Sequence, residues 1–119
     1  MMTWLAVFVG GGLGSVARFG VGTICLKFWE GNFPMATLVS NVLSCVILAV
    51  VLSVFTGSEL NDRLVRTAIL VGFCGGFSTF STFSYETVLL IKSGNHLVAA
   101  GNMILSVGVC LILIYKLTK

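Results

Sequence analysis

Four long stretches of this chain are almost free of charge, and the segments between them are too short to hold a folded domain. The stretches run roughly from Thr3 to Lys27, Met35 to Phe55, Leu64 to Ile91 and Leu97 to Tyr115. The hydrocarbon core of a bilayer is ~30 Å thick and takes about 20 apolar residues per helical span. Each stretch is long enough to cross it, and with their loops the four use the whole chain. Hydrophobic residues make up 57% of the sequence and charged residues 9%. A soluble domain is about 25% charged, so a fold this apolar could not cover its surface in water. The chain reads as an all-α membrane protein of four transmembrane helices, with residues 1–119 forming one transmembrane unit.

Several other classes are excluded by the same composition. The opening Met1-Met2-Thr3-Trp4 carries no Lys or Arg, and the apolar run behind it is too long for a signal-peptide core, so it reads as a mature helix. Cys25, Cys45, Cys74 and Cys110 form no CxxC pair and sit among apolar residues. They read as small buried hydrophobes, with no spacing for a disulfide framework or a zinc site. A net charge of +3, scattered along the chain, gives no footprint for nucleic acid. His96, the one histidine, falls in a predicted loop. No nucleophile–base pair or metal cluster suggests an enzyme.

The predicted loops are Phe28–Pro34, with Trp29 and Phe33 suited to the membrane interface, Thr56–Arg63, and the tight turn Lys92–His96. Pro34 opens the second span, where a missing N–H is tolerated. An even number of spans puts both termini on one side, with Arg63, Arg66, Lys116 and Lys119. Lys27 and Lys92 lie on the other, with Arg18 nearby inside a helix. So small a bias permits insertion in both directions. Dual topology in turn permits an antiparallel homodimer with its axis in the membrane plane.

The polar groups at membrane depth carry the most information, because each is costly unless it pairs or lines a cavity. In the first span, Gly10 and Gly14 form a GxxxG that lets helices approach closely. Arg18 in the same span is either a functional group or a residue that snorkels to the interface. Thr37, Asn41 and Ser44 share a face of the second span. Ser and Thr can bond their own helix carbonyls, but the Asn41 amide cannot satisfy itself that way. Asn41 is either interhelical glue or a pore donor.

The third span reads Gly72-Phe73-Cys74-Gly75-Gly76-Phe77-Ser78-Thr79-Phe80-Ser81-Thr82-Phe83-Ser84. Adjacent glycines followed by a hydroxyl run predict a helix broken mid-membrane. Such a break frees carbonyl oxygens, which suit a hard cation such as Na⁺. It also frees the N-terminus of the next half-helix, which suits an anion. Phe80 and Phe83 stack at i, i+3, beside a hydroxyl stripe of Ser78, Ser81 and Ser84. Hydroxyls donate to anions, and a phenyl edge carries partial positive charge. The same aromatic spacing also serves plain packing. Glu86 beyond the ladder is a pore-mouth carboxylate or an interfacial acid. Asn102, Ser106 and Cys110 form one polar stripe on the fourth span, which should face protein or water.

The run Gly72–Phe83 closely resembles the signature of the Fluc (CrcB) family of fluoride channels. Gly11-Gly12-Leu13-Gly14-Ser15-Val16-Ala17-Arg18-Phe19 resembles that family's first-helix motif, Thr37-Leu38-Val39-Ser40-Asn41 its second-helix motif, and Asn102–Ser106 its fourth helix. The resemblance covers nearly the whole chain in order. It implies a multi-pass protein of the bacterial inner or plasma membrane, assembled as an antiparallel dual-topology homodimer among membrane lipid. It implies two fluoride pores that export fluoride passively and lower its cytoplasmic level. By position, Asn41, Phe80, Phe83, Ser81, Ser84 and Ser106 match the fluoride pathway. Gly75 and Ser78 match the positions whose backbone carbonyls hold a structural, untransported Na⁺ at the dimer centre. Ala36, Ser40, Ser78 and Cys110 depart from residues common in the family.

Fluoride is small and strongly hydrated, so a pore must replace its water with donors yet hold it at no site too tightly. Hydroxyls, an amide and phenyl edges do this without a full positive charge. The rival reading is a small multidrug-resistance-type transporter, also four-helical and dual-topology. It would couple protons through a carboxylate in the first helix, where this chain has Arg18 and no acid before Glu30. A non-transporting assembly subunit would not need the Ser/Thr/Phe ladder.

Overall fold

The computed structural model describes residues 1–55 and 59–118. Thr56, Gly57, Ser58 and Lys119, expected in a loop and at the chain end, lie outside the described residues. Among the described residues the fold is all helical. Helix α1 spans Met2–Phe28 and α2 spans Met35–Val54. Helix α3, Leu60–Thr67, runs into a π-helical segment, Ala68–Phe73, and then into the short α4, Cys74–Phe77. Two extended residues separate α4 from α5, Phe80–Lys92, and α6 spans His96–Leu117. Four segments are long and apolar enough to cross a membrane: Met2–Phe28, Met35–Val54, Asn61–Lys92 and His96–Leu117.

The observed elements shift several expected boundaries, with Phe28 closing α1 and Lys92 closing α5 rather than lying in loops. The third span begins at Leu60 rather than near Leu64, so Leu60–Arg63, expected in a loop, are helical. A polar first turn is no obstacle there, because its free N–H groups need water anyway. His96, also expected in a loop, is the first residue of α6. The turn before it pivots on Gly94, whose φ of 86° is the one positive value among the described residues. That conformation suits a residue without a Cβ. At the other turn, the Trp29 indole N–H donates to the Phe33 carbonyl at 2.8 Å and ties the α1–α2 loop shut.

Packing is closest where glycines meet. Helix α1 lies along the π segment and α4, and α2 lies along α6. A Cβ on Gly10 would run into the Ala68 carbonyl oxygen, and one on Gly14 into that of Phe73. From the other side, a Cβ on Gly72 would lie 2.9 Å from the Val7 oxygen, and one on Gly76 2.5 Å from the Gly11 oxygen. The expected Gly10/Gly14 motif thus meets a second one, Gly72/Gly76, and backbone rests on backbone. Ala68 and Phe73 are five residues apart, one π turn, and they face glycines four residues apart. The wider turn is what lets both carbonyls lie against α1.

At the opposite contact, Ser53 at the end of α2 donates to the Leu117 carbonyl at the end of α6, at 3.0 Å. The N-terminus of α3 follows α2, and α3 packs on α1. Both chain termini therefore lie at one end of the bundle.

Candidate functional site

The site is built around the interruption between α4 and α5. Ser78 (φ −83°, ψ 160°) and Thr79 (φ −152°, ψ 123°) are extended. Two adjacent glycines weaken the helix here, and hydroxyl side chains offer the backbone alternative partners. The Ser78 hydroxyl donates to the Cys74 carbonyl at 2.7 Å. The Thr79 hydroxyl caps α5 by accepting from the Thr82 N–H at 3.2 Å.

Neighbouring helices take up much of the exposed backbone. Asn41 of α2 accepts from the Thr79 N–H at 2.8 Å and donates to the Thr79 carbonyl at 3.3 Å. Arg18 of α1 donates through Nε to the Gly76 carbonyl at 3.0 Å, so its guanidinium sits at the carbonyl end of α4. The Ser44 hydroxyl donates to the Cys74 carbonyl at 3.0 Å. The Gly75 and Ser78 carbonyls receive no hydrogen bond among the described residues. Gly75 is exposed, and a Cβ there would meet nothing within 4 Å.

Four of the six expected pathway side chains, Asn41, Phe80, Phe83 and Ser106, line one cleft of about 240 Å³, joined by Thr79 and Cys110. The Phe80 and Phe83 rings lie 5.8 Å apart, tilted by 42°. Phe83 is buried at 9% exposure, whereas Phe80 is 78% exposed. Ser81 and Ser84 do not line this cleft. Ser81 is exposed, with its hydroxyl 3.3 Å from that of Thr79, and Ser84 is half-buried.

The Ser106 hydroxyl is oriented by a relay. It donates to Asn102 Oδ1 at 3.2 Å, Asn102 Nδ2 donates to the Thr87 hydroxyl at 3.0 Å, and Thr87 donates to the Phe83 carbonyl at 2.7 Å. Asn102 is 1% exposed, so the upper part of the α6 stripe joins helices. Ser106 and Cys110, lower on the stripe, face the cleft.

A second cleft adjoins the first, and a third adjoins the second. One of about 200 Å³ is lined by Arg18, Thr37, Ser40, Thr79, Thr82 and Glu86 among others, and shares Thr79 with the Phe80/Phe83 cleft. The other, about 630 Å³, opens among Trp29, Asn32, Ser93 and Asn95 and shares Ala36 and Glu86 with the middle one. Glu86 Oε1 is buried without a donor among the described residues. Through shared lining residues the three clefts follow one another from the α1–α2 loop to the helix interruption and the phenyl pair.

Sequence reasoning did not single out Thr79 or Thr87. Thr79 matters through its backbone as well as its hydroxyl, and Thr87 stands four residues beyond Phe83 in the same hydroxyl series. All four cysteines are free; only Cys74 is buried, the other three being half-buried. Among the described residues no group of His, Cys, Asp and Glu could hold a metal. A cation here would need backbone oxygen.

Residues 5–116 match the family described as CrcB-like protein, Camphor Resistance (CrcB). Among curated relatives, a fluoride-specific ion channel FluC of Coxiella burnetii (strain CbuK_Q154) is 40% identical over 112 residues, covering 92% of this chain and 90% of the relative. Fluoride-specific ion channel FluC 1 of Yersinia pseudotuberculosis serotype I is 42% identical over 105 residues, covering 88% and 82%. The FluC of Shewanella pealeana is 37% identical over 111 residues, covering 93% and 89%. With four membrane-spanning segments and these relatives, the chain is a multi-pass protein of the cell membrane, and it belongs to the CrcB (FluC) family.

Proposed function

We propose that the chain is a fluoride-selective channel that lets fluoride leave the cytoplasm down its gradient. The observation that carries this reading is the cleft in which Asn41, Thr79, Ser106 and the tilted Phe80/Phe83 pair converge at the helix interruption. The second N–H of the Asn41 amide, the Thr79 hydroxyl and phenyl edges can each take the place of water around a small anion, and the Ser106 hydroxyl can do so by turning from Asn102. No full positive charge lines that cleft, so nothing in it would hold fluoride too long. The adjoining cleft supplies Thr82 and holds both the Arg18 guanidinium and the Glu86 carboxyl.

The functional unit in this reading is an antiparallel dual-topology homodimer, with two pathways and the interrupted span deep in the bilayer. Irregular backbone survives at that depth only where protein or a cavity covers it. Phe80, Ser81 and Gly75 are exposed in a single protomer, on faces a second copy would cover. The Gly75 and Ser78 carbonyls, left without donors, fit a hard cation, which prefers oxygen ligands. One protomer offers two such oxygens, and a second copy across the axis would complete a Na⁺ site. The ion would hold the two interruptions together and would not be transported.

Purified protein in liposomes tests the reading. With Na⁺ present it should pass fluoride and reject chloride down a gradient. Equal chloride flux, or no fluoride flux, would sink it.

A further inference from the structure

The end of the bundle that holds both termini carries a feature that fluoride conduction does not use. Arg63, Arg66 and Thr67 of α3 line a cavity of about 230 Å³, whose other walls among the described residues are Leu70 and Val71 of the π segment. Arg66 Nε is buried and has no acceptor among the described residues. A guanidinium N–H shut away from water without an acceptor is unfavourable, more so because the group is charged. Glu59 and Asp62 stand on the same turns, but neither lines the cavity.

We propose that this cavity binds the phosphate of an anionic phospholipid. Two guanidinium groups and one hydroxyl match phosphate, which Arg takes in a bidentate fork. The wall that continues as Leu70 and Val71 is apolar and lies one turn further into the span, on the side where an acyl chain would descend. A free phosphate in water would gain nothing from that wall. Basic pockets near the ends of transmembrane helices favour anionic headgroups through the same combination of charge and depth. The lipid would satisfy Arg66 Nε and brace α3 at the start of the span whose far end forms the ion path.

Native mass spectrometry of the full chain in detergent tests this. Three probes are added separately: phosphatidylglycerol, phosphatidylcholine and inorganic phosphate. The intact protein should retain phosphatidylglycerol over phosphatidylcholine, and millimolar inorganic phosphate should not displace it. Arg66→Gln and Arg63→Gln should each weaken retention by about tenfold, the loss of one charge-assisted hydrogen bond. Arg66→Lys, which keeps the charge but not the fork, should fall between. Lys27→Gln, an exposed cation at the opposite end of α1, should retain the lipid as the intact protein does. Circular dichroism of each variant checks that the helices remain. Equal retention in both arginine variants would overturn the proposal. So would displacement by inorganic phosphate, which would assign the cavity to a free anion.

Discussion

The Asn41 side chain bonds both backbone polar groups of Thr79, accepting from its N–H at 2.8 Å and donating to its carbonyl at 3.3 Å. One amide thereby does for an extended residue what the next helical turn would otherwise do. It also spans α2 and the interrupted span, so the position of Phe80, the next residue, depends on it.

Replacing Asn41 separates these roles. Asn41→Ala removes both bonds and leaves two part-buried backbone groups unpaired, a loss of about 1–3 kcal/mol. Asn41→Asp keeps the acceptor for Thr79 N–H but cannot donate, and adds a negative charge beside the Phe80/Phe83 cleft. The Ala variant should lower the thermal midpoint in detergent more than the Asp variant, while fluoride flux falls in both. Hydrogen exchange at the Thr79 amide should accelerate in Ala and much less in Asp. Unchanged exchange in Ala would show that Asn41 does not hold the interruption.

The glycine contacts make a sharper stability prediction. Gly10→Ala and Gly14→Ala each drive a methyl into a carbonyl oxygen of the facing segment, whereas a Cβ on Gly20 meets nothing within 4 Å. The clash is with backbone, so no rotamer relieves it. The first two substitutions should destabilise by about 1–3 kcal/mol, read as a lower thermal midpoint, and Gly20→Ala should be close to neutral.

The contrast between these two sites shows what the sequence could carry. Four spans were legible because apolar length and charge depletion are properties of the chain itself. Gly10/Gly14 was legible as a close contact because small residues at that spacing have few other uses. Its partner was not, since the π segment has no local signature; it arises from fitting Ala68 and Phe73 against α1. Asn41, Phe80, Phe83 and Ser106 were singled out one helix at a time, and three-dimensional packing brings them into one cleft. Ser81 and Ser84 belong to the neighbouring hydroxyl stripe and lie off the cleft, because residues one position from Phe80 and Phe83 are turned about 100° around the helix. The role of Thr79 was hidden because it is a backbone role, which residue identity does not reveal.

Phe80 and Phe83 differ enough in burial to give different outcomes. Phe80→Ile changes an exposed ring and should leave the thermal midpoint nearly unchanged. Phe83→Ile alters a buried one and should cost about 1 kcal/mol of stability. Both remove a phenyl edge while remaining apolar, so both should reduce fluoride flux in liposomes with the dimer still assembled. Size-exclusion chromatography checks assembly beside the flux. Full flux in either variant would remove that ring from the pathway.

The cation reading makes a prediction that depends on backbone oxygen rather than side chains. The Ser78 hydroxyl is turned to the Cys74 carbonyl, away from any ligand role. Ser78→Ala should therefore keep flux dependent on Na⁺, with half-activation shifted less than about threefold, since only a local hydrogen bond is lost. Gly75→Ala is the contrasting substitution. Its methyl meets nothing within 4 Å inside the protomer, so the isolated fold tolerates it and any loss reports on a second copy across the axis. Gly75→Ala should retain helical content yet lose Na⁺-dependent flux and dimer assembly. Replacing Na⁺ with N-methylglucamine should silence the unsubstituted protein in the same assay. Flux that persists without Na⁺ would leave the free Gly75 and Ser78 carbonyls without a cation to explain them.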